Sequence, residues 1–474
     1  MAKANTIGSE QRKELVDLAI SLIEAFLDGV VPNEDSSPFD LGDWVGTYFV
    51  GSAVRFSKTF LSARRAFALR AAKLLKAKAG HETSISEMTQ KVAQETVAKI
   101  IGATTPAAEE DGLPDEGAEP STLSAEKRAQ LIADGANELV DLVIAEGART
   151  FIQIEPNFLV SSVDAVKVGR VTVMSTADAQ QKTAVADNPR ITLAAGEYPN
   201  LRTTDGVIHV GMPRMVWVVE VPAAKENVAE ESKWLIDVAI SFIRLAFKEE
   251  TSRFPTNGEI EPHPTRPTDL RPPHVTLEGT TASAGGKKVS PLYELDAATI
   301  EHLCSKSLST AAEAIFDPPK GSLALRVAQG LGWMTRGRQA FDRAERLLAL
   351  FTALEALLSS DDKSAPVTQT ISRYASVIYA SHIPDRVQVY NQIKSLYSVR
   401  SKVVHAGERD VLWQEVNRLQ RLVEAVFWVV INRCDLRMGK QASEASLSDA
   451  SHGIKWAFSV TDAEEPQPED GASA

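Results

Sequence analysis

The chain has 474 residues, of which 44% are hydrophobic and 24% charged, as in an ordinary globular protein with material for two to four domains. No uninterrupted apolar run of about 18 residues occurs, which argues against a transmembrane helix. The opening "MAKANTIGSEQRKEL" lacks the apolar segment of a secretory signal. Cys304 and Cys434 are far apart and form no CxxC metal or redox pattern, so we expect a cytoplasmic protein.

The net charge of −12 is unevenly distributed along the chain. Residues 323–440 contain 17 Lys and Arg against 11 Asp and Glu, a local charge of +6 inside an acidic protein. Such a basic segment indicates a local site for a polyanion. A solvated helical surface explains the same charge equally well.

Residues 1–102 are predicted to form a helical region. Ser9 is suited to cap a first helix, in which apolar residues recur at helical spacing. A second, basic helix is predicted over 51–79 and a third near 84–101. A basic amphipathic helix can bind nucleic acid or a membrane surface, although a helix with one solvated face shows the same pattern.

Residues 103–125 are acidic, contain proline and are poor in large apolar residues, which predicts a disordered linker or loop. Residues 126–295 are predicted to form an α+β domain of unknown role, with an antiparallel or mixed sheet. It contains a helix near 124–147 and another over 234–245. Its predicted strands are "TFIQIE", "KVGRVTVMS", "GVIHVG", "RMVWVVEV", "HVTLEG" and "VSPLYEL".

Helical periodicity then runs through residues 297–438, and the short connections predict an antiparallel helical bundle. Asp410 is predicted to cap the last helix of this bundle. Residues 439–474 are polar and acidic and are predicted to be a disordered tail, in which "IKWAFSV" is a candidate for docking. The predicted fold class is α+β: mainly helical, with a mixed α/β N-terminal region and a C-terminal bundle.

The stretch "YSVRSKVVHAGERD" at 397–410 places three basic side chains at the predicted end of a helix. Gly407 supplies the left-handed turn that ends such a helix. Arg400 and His405 lie about 140° apart on a regular helix, but a ring in the last turn can swing towards Arg400. The negative end of the helix dipole favours protonated His405, as suits a group that exchanges protons near neutral pH.

Together these two side chains suit RNA cleavage by 2′-hydroxyl attack. A guanidinium can hold the charge that develops on the phosphorane, and an imidazole can take or give the proton. That chemistry needs no metal, and no clustered metal-ligand spacing is present in the sequence. The segment "SAGGKKVS" lacks P-loop spacing, and no GxGxxG or GxSxG pattern opens a helix after a strand, so no cofactor is expected.

The motif Arg400-x4-His405 resembles the HEPN domain in its Apea-like branch, together with "DRAERLLALFTALEALLS" before it, Tyr397 three residues before the arginine, and His405-Ala406-Gly407 at the end of the helix. The resemblance covers about residues 325–435, roughly a quarter of the chain. It implies a HEPN-type bundle, a homodimer with one composite cleft, and a metal-independent endoribonuclease. Ser401 departs from the Asn, Asp or His that commonly follows the arginine, which leaves His405 less firmly oriented.

The resemblance further implies a role as an effector in anti-phage (abortive infection) or toxin-like defence. Residues 1–290 would then sense a trigger of phage or other origin, and RNA would be the substrate. By the resemblance Arg400 holds the scissile phosphate and His405 does the acid–base work. Basic and polar residues around the motif are candidates for RNA binding, although a solvated helix face explains each of them: Ser401, Lys402, Arg409, Arg343 and Arg346.

Two alternatives remain open for this motif. His405 can simply cap carbonyls at the helix end, and Arg400 can pair with Glu355 or Glu408. The motif would in that case be a coincidence of spacing. In the second alternative, the bundle is a non-catalytic HEPN module for dimerisation or for binding RNA or a partner, and the protein has no nuclease activity.

Overall fold

A computed structural model describes most of the chain, and every structural statement below refers to this part. The described residues are 8–29, 58–75, 79–102, 124–146, 150–183, 185–222, 227–246, 261, 263–266, 271–278, 281–287, 293–360, 366–452 and 456. The chain divides into two compact units, residues 1–151 with 221–228 and residues 152–220 with 229–474.

The first unit contains four described helices: α1 (Ser9–Gly29), α2 (Lys58–Leu74), α3 (Ala79–Gly102) and α4 (Ala125–Glu146). One apolar side of each helix enters a shared core, as the helical periodicity of the sequence predicts. Large members of this core are Leu15, Leu22, Phe60, Phe67, Ile85 and Leu139. Basic side chains of α2 face outward, where Arg70 pairs with Glu14 at 2.6 Å.

The division differs from the predicted domain boundaries. Helix α4 packs with α1 and α3 in the first unit, whereas we predicted it as the start of an α+β domain over 126–295. The strands and the C-terminal helices fall together in the second unit. The predicted linker at 103–125 lies outside the described residues except for its last two.

The second unit begins with a four-stranded sheet of order β1-β8-β4-β3. Its strands are β1 (Phe151–Asn157), β3 (Val166–Val168), β4 (Val171–Ser175) and β8 (Met215–Val221), and β4 pairs antiparallel with both neighbours. The predicted strand "KVGRVTVMS" is thus a hairpin. It turns at Gly169, whose φ of 58° lies in the left-handed region that glycine favours.

The remaining strands form smaller sheets. Strands β5 (Ile191–Ala195), β6 (Leu201–Thr204) and β7 (Val207–Met212) form a mixed sheet of order β5-β7-β6. Strands β9 (Arg271–Glu278) and β10 (Thr281–Lys287) pair antiparallel, and β2 (Val160–Ser162) pairs parallel with β11 (Tyr293–Leu295). Both sheet polarities therefore occur, as the prediction of an antiparallel or mixed sheet allows.

Four helices accompany the strands of the second unit: α5 (Thr176–Lys182), α6 (Val228–Ala246), α7 (Ala297–Leu303) and α8 (Lys306–Phe316). The C-terminal bundle follows as α9 (Leu323–Gln339), α10 (Arg343–Leu358), α11 (Val367–Tyr379), α12 (Ile383–Ala406) and α13 (Trp413–Arg433). Its core contains Leu331, Leu347, Phe351, Ile393 and Phe427. The mainly helical α+β fold class is confirmed.

Two predictions about the end of the chain are corrected. Helix α13 is capped by Leu412, not by Asp410: the Leu412 N–H donates to Glu415 Oε2 at 2.9 Å. The predicted disordered tail at 439–474 contains a further helix, α14 (Lys440–Ser451), because Leu447 and Ala450 are buried. Within "IKWAFSV" only Trp456 is described, and it is buried, with its Nε1 3.2 Å from Ser446 Oγ.

None of the helices in the described ranges is both long and apolar enough to cross a membrane.

Candidate functional site

Helix α12 carries the motif and ends where the sequence predicts. Gly407 adopts the left-handed conformation with φ of 68°, and its N–H donates to the carbonyl of Lys402. Only three side chains of the 24-residue helix are buried: Val389, Ile393 and Leu396. Most of α12 therefore remains accessible, apart from the one side that packs on α11 and α10.

Arg400 lies on that packed side and forms an ion pair with Glu355 of α10. Its Nη2 is 3.1 Å from Glu355 Oε1 and 3.4 Å from Oε2. Each side chain is 23% exposed. This is the pair that the sequence left open as an alternative to a phosphate site, and it means that Arg400 already faces a carboxylate.

Tyr397 completes the arrangement one helical turn before Arg400. Its hydroxyl donates to Glu355 Oε1 at 2.9 Å, and the Arg400 guanidinium lies 5.2 Å from its ring centroid. The Phe351 ring packs edge-on against Tyr397 at 5.1 Å. Burial, and then the neighbouring Glu355 carboxylate, raise the pKa of the Tyr397 phenol to about 12. Tyr397 is therefore a hydrogen-bond donor at physiological pH.

His405 lies in the last turn of α12 and is exposed. The helix stays regular through Ala406. The helix end is therefore not distorted in a way that would turn the His405 ring towards Arg400. Five residues at about 100° each place the two side chains about 140° apart around the helix axis. Arg400 packs on Glu355 while His405 points into solvent, so one chain does not present both groups on one face.

The other predicted RNA contacts on α12 and its loop lie near the surface. Ser401 is half-buried and Lys402 is exposed, with its Nζ 4.0 Å from Glu408 Oε2. Arg409 is exposed and pairs with Asp342, the residue that caps α10. Arg343, the first residue of α10, is half-buried. Lys402 and Arg409 thus lie at the same end of the bundle as His405.

Arg346 is a correction, because it is fully buried and not a surface contact for RNA. Its Nε donates to the Gly337 carbonyl at 3.0 Å, and its Nη2 to the Arg338 carbonyl at 2.6 Å. Its guanidinium lies 5.3 Å from the Trp413 ring. Burial lowers the pKa of Arg346 to about 10. Arg346 therefore stabilises the fold, because it satisfies the carbonyls at the end of α9.

A buried group of charges surrounds the C-terminal end of α9. Arg338 is completely buried, with its Nε 2.9 Å from Glu261 Oε2 and its Nη1 in contact with Glu424. Arg244 Nη1 lies 3.3 Å from the same Glu261 oxygen. Sequence reasoning missed this cluster, because its members come from segments as far apart as 244 and 424. It lies among buried residues and offers solvent no open charge.

The positions of Glu355 and Tyr397 beside Arg400 were only partly predicted. Tyr397 is part of the sequence motif, and its spacing of three residues places it beside Arg400 on a helix. The sequence offers Glu355 as an alternative partner of Arg400 but not as a member of the site. Its position in the otherwise apolar run "ALEALL" was the signal, since a carboxylate there needs a partner.

Within the ranges that the structure covers, no three His, Cys, Asp or Glu side chains form a group suited to hold a metal ion. The candidate site therefore consists of Arg400 with Glu355 and Tyr397, and of the exposed His405. In comparisons with protein-family models, curated proteins and solved structures, no match to this chain was found.

Proposed function

We propose that the chain is a metal-independent endoribonuclease of HEPN type, whose site is assembled from two copies. The observation that carries the proposal is the state of Arg400. Unlike Arg338 and Arg346, its side chain retains access to solvent while an aromatic ring and a carboxylate fix its direction. A partly exposed, oriented guanidinium is suited to bind a phosphate.

The chemistry assigns one task to each side chain. Neutral His405 takes the proton of the RNA 2′-hydroxyl as its oxygen attacks the adjacent phosphorus, and the protonated ring then gives a proton to the leaving 5′-oxygen. Arg400 stabilises the added negative charge on the phosphorane oxygens. The products are a 2′,3′-cyclic phosphate and a free 5′-hydroxyl, and the histidine returns to its first state.

The angle between the side chains favours a site shared by two chains. Arg400 of one copy and His405 of the other can approach one phosphate when two α12 helices face each other. Exposed apolar side chains at both ends of α12 support such a contact: Ile383 and Val387 near its start are 69% and 53% exposed, and Val404 near its end is 46% exposed. The proposed partner of this surface is therefore a second copy of the chain.

Two single variants test the proposal. His405→Ala and Arg400→Ala are each expected to abolish cleavage of single-stranded RNA, measured as 2′,3′-cyclic phosphate ends. His382→Ala is the matched control, because His382 is exposed and caps the other end of α12. Cleavage by His405→Ala at the wild-type rate would refute the proposal.

Mixing the two inactive variants tests the shared site. A mixed dimer has one complete site, with Arg400 from one chain and His405 from the other. Random assortment makes half of the dimers mixed, and a mixed dimer keeps one of the two Arg400–His405 pairs of the wild-type dimer, so about a quarter of wild-type activity should return. No recovery, despite dimers that form, would place both residues of a site on one chain.

The Arg400–Glu355 pair favours a second candidate, a non-catalytic bundle that dimerises or binds RNA or a partner. A guanidinium that is already neutralised needs no phosphate, and the exposed apolar residues of α12 suit docking alone. This candidate expects dimers in light scattering and no cyclic-phosphate product from the wild-type protein.

The proposal extends to a role as a defence effector regulated by residues 1–290. The first four helices form a compact unit of their own, which supports a regulatory part within residues 1–290, whereas the strands belong to the same unit as the bundle. Expression of the full chain in bacteria is expected to slow growth only when a phage or another trigger is present. Growth arrest that persists with His405→Ala would argue against RNA cleavage as its cause.

A further inference from the structure

The Glu355 carboxylate has an unusual setting within the bundle. It lies on α10 next to the fully buried Leu354, one turn from the buried Leu358. A half-buried carboxylate among leucines requires partners that offset its lost hydration. It has two, the Arg400 guanidinium and the Tyr397 hydroxyl, and both of them belong to α12.

The ion pair uses only part of the guanidinium. Both contacts to Glu355 come from Nη2, whereas the Nε of Arg400 is buried without a hydrogen-bond partner. This is not the parallel two-nitrogen fork that Arg forms with carboxylates in its strongest pairs. Because that Nε is buried, the donor capacity that Arg400 retains for a second anion lies on the solvent-accessible part of its guanidinium, since the side chain is 23% exposed.

We infer that Glu355 is a positioning residue that aims Arg400 and competes with the RNA phosphate for it, with Tyr397 holding the carboxylate in place. This inference rests on the proposed function. Its chemical basis is that a carboxylate and a phosphate both bind guanidinium through two oxygens. The substrate phosphate shares or displaces Glu355, so Glu355 limits RNA affinity while it keeps Arg400 in the orientation that the reaction requires.

The inference predicts opposite effects on binding and on turnover. Glu355→Gln keeps the size of the side chain and its hydrogen-bonding oxygen but removes the negative charge next to the phosphate. RNA affinity is expected to rise about fivefold, since one screened charge–charge contact amounts to about 1 kcal/mol. The turnover rate is expected to fall about tenfold, because Arg400 is less well oriented.

RNA binding is measured in the full-length His405→Ala protein, which does not cleave under the proposed mechanism. The probe is a labelled 20-nucleotide single-stranded RNA, followed by fluorescence anisotropy. Glu345→Gln is the matched control, because Glu345 is exposed on the same helix and its loss changes the net charge equally. Tighter binding with Glu355→Gln alone supports the inference, and equal binding by both variants overturns it.

A second readout does not depend on RNA. Burial, and then the Glu355 carboxylate, raise the pKa of the Tyr397 phenol, so Glu355→Gln should lower this pKa. The ¹³Cζ resonance of Tyr397, assigned by its loss in Tyr397→Phe, reports this change. An unchanged titration overturns the role of Tyr397. Failure of the proposed function has a different signature, namely no RNA binding and no cleavage by any variant.

Discussion

Arg338 and Arg400 are both bundle arginines paired with glutamate, yet their surroundings differ. Arg338 is completely buried between Glu261 and Glu424, whereas Arg400 retains 23% exposure and meets one carboxylate from one side. The buried arginine is closed off from solvent, so an anion in solution does not reach it. The partly exposed one is accessible, and under the proposed function it exchanges its carboxylate for a phosphate. Exposure, and not residue type, thus separates a structural arginine from a candidate binding residue.

The energetic consequences of the two settings also differ. Buried charges lose their hydration, so removing one partner leaves another charge uncompensated in the interior. A partly exposed pair loses less hydration, and water and salt screen the charge that remains. The cluster around Arg338 therefore serves stability, whereas Arg400 can serve function at small cost to the fold.

The largest expected effect is the loss of stability when Arg338 is removed. Arg338→Ala leaves Glu424 buried without its ion-pair partner and Glu261 with Arg244 alone, and is expected to cost about 3–5 kcal/mol of unfolding free energy. The matched Arg400→Ala is expected to cost at most about 1 kcal/mol. Urea unfolding followed by circular dichroism measures both. Similar losses in the two variants would remove the distinction between the buried and the half-exposed pair.

The second-largest expected effect is a pH dependence of stability that arises from Asp237, a buried carboxylate of α6. Its Oδ2 is 3.5 Å from Arg336 Nε, and the Arg336 guanidinium lies 4.8 Å from the Trp234 ring and 5.4 Å from the Trp333 ring. Burial raises the pKa of Asp237 to about 7, despite the opposing effect of Arg336. The folded state therefore binds a proton more tightly than the unfolded chain does.

The sign of the pH dependence follows from that raised pKa. The contribution of Asp237 to stability is fully present below pH 4 and is lost as the pH rises through about 7. Between pH 5 and pH 8 this loss is on the order of 2 kcal/mol. Asp237→Asn should remove this pH dependence. The difference between the unfolding free energies of the wild-type protein and the variant should therefore change between pH 5 and pH 8. A constant difference would contradict the assignment to Asp237.

Local signals in the sequence predicted much of the fold. Helical periodicity located the helices of both units, and Gly407 marked the end of α12, because the left-handed turn depends on one residue. Predictions that depended on tertiary contacts were less successful. Asp410 has the chemistry of a cap, but the residue that caps the helix is Leu412, two positions beyond it. The polar tail forms α14 because its apolar residues Leu447 and Ala450 become buried by tertiary packing.

The candidate site shows the same limit at the level of single side chains. Arg400 and His405 could be chosen from their spacing and residue types alone. The burial of Arg346 could not, because it depends on the carbonyls that end α9 and on the Trp413 ring. A basic residue on a helix has the same sequence pattern whether its side chain is exposed to solvent or buried against the end of a neighbouring helix.

The smallest effect on the fold is expected from Arg409, the exposed counterpart of Arg346. Its pair with Asp342 lies in solvent, so Arg409→Ala should change stability by less than about 1 kcal/mol. If it contacts RNA as proposed, the variant should bind RNA more weakly. The slope of log affinity against log salt should also fall by about 0.7, the value for one phosphate contact on a single strand. An unchanged salt slope would mean that Arg409 only pairs with Asp342, and the RNA-binding face would then have to be sought elsewhere on α12.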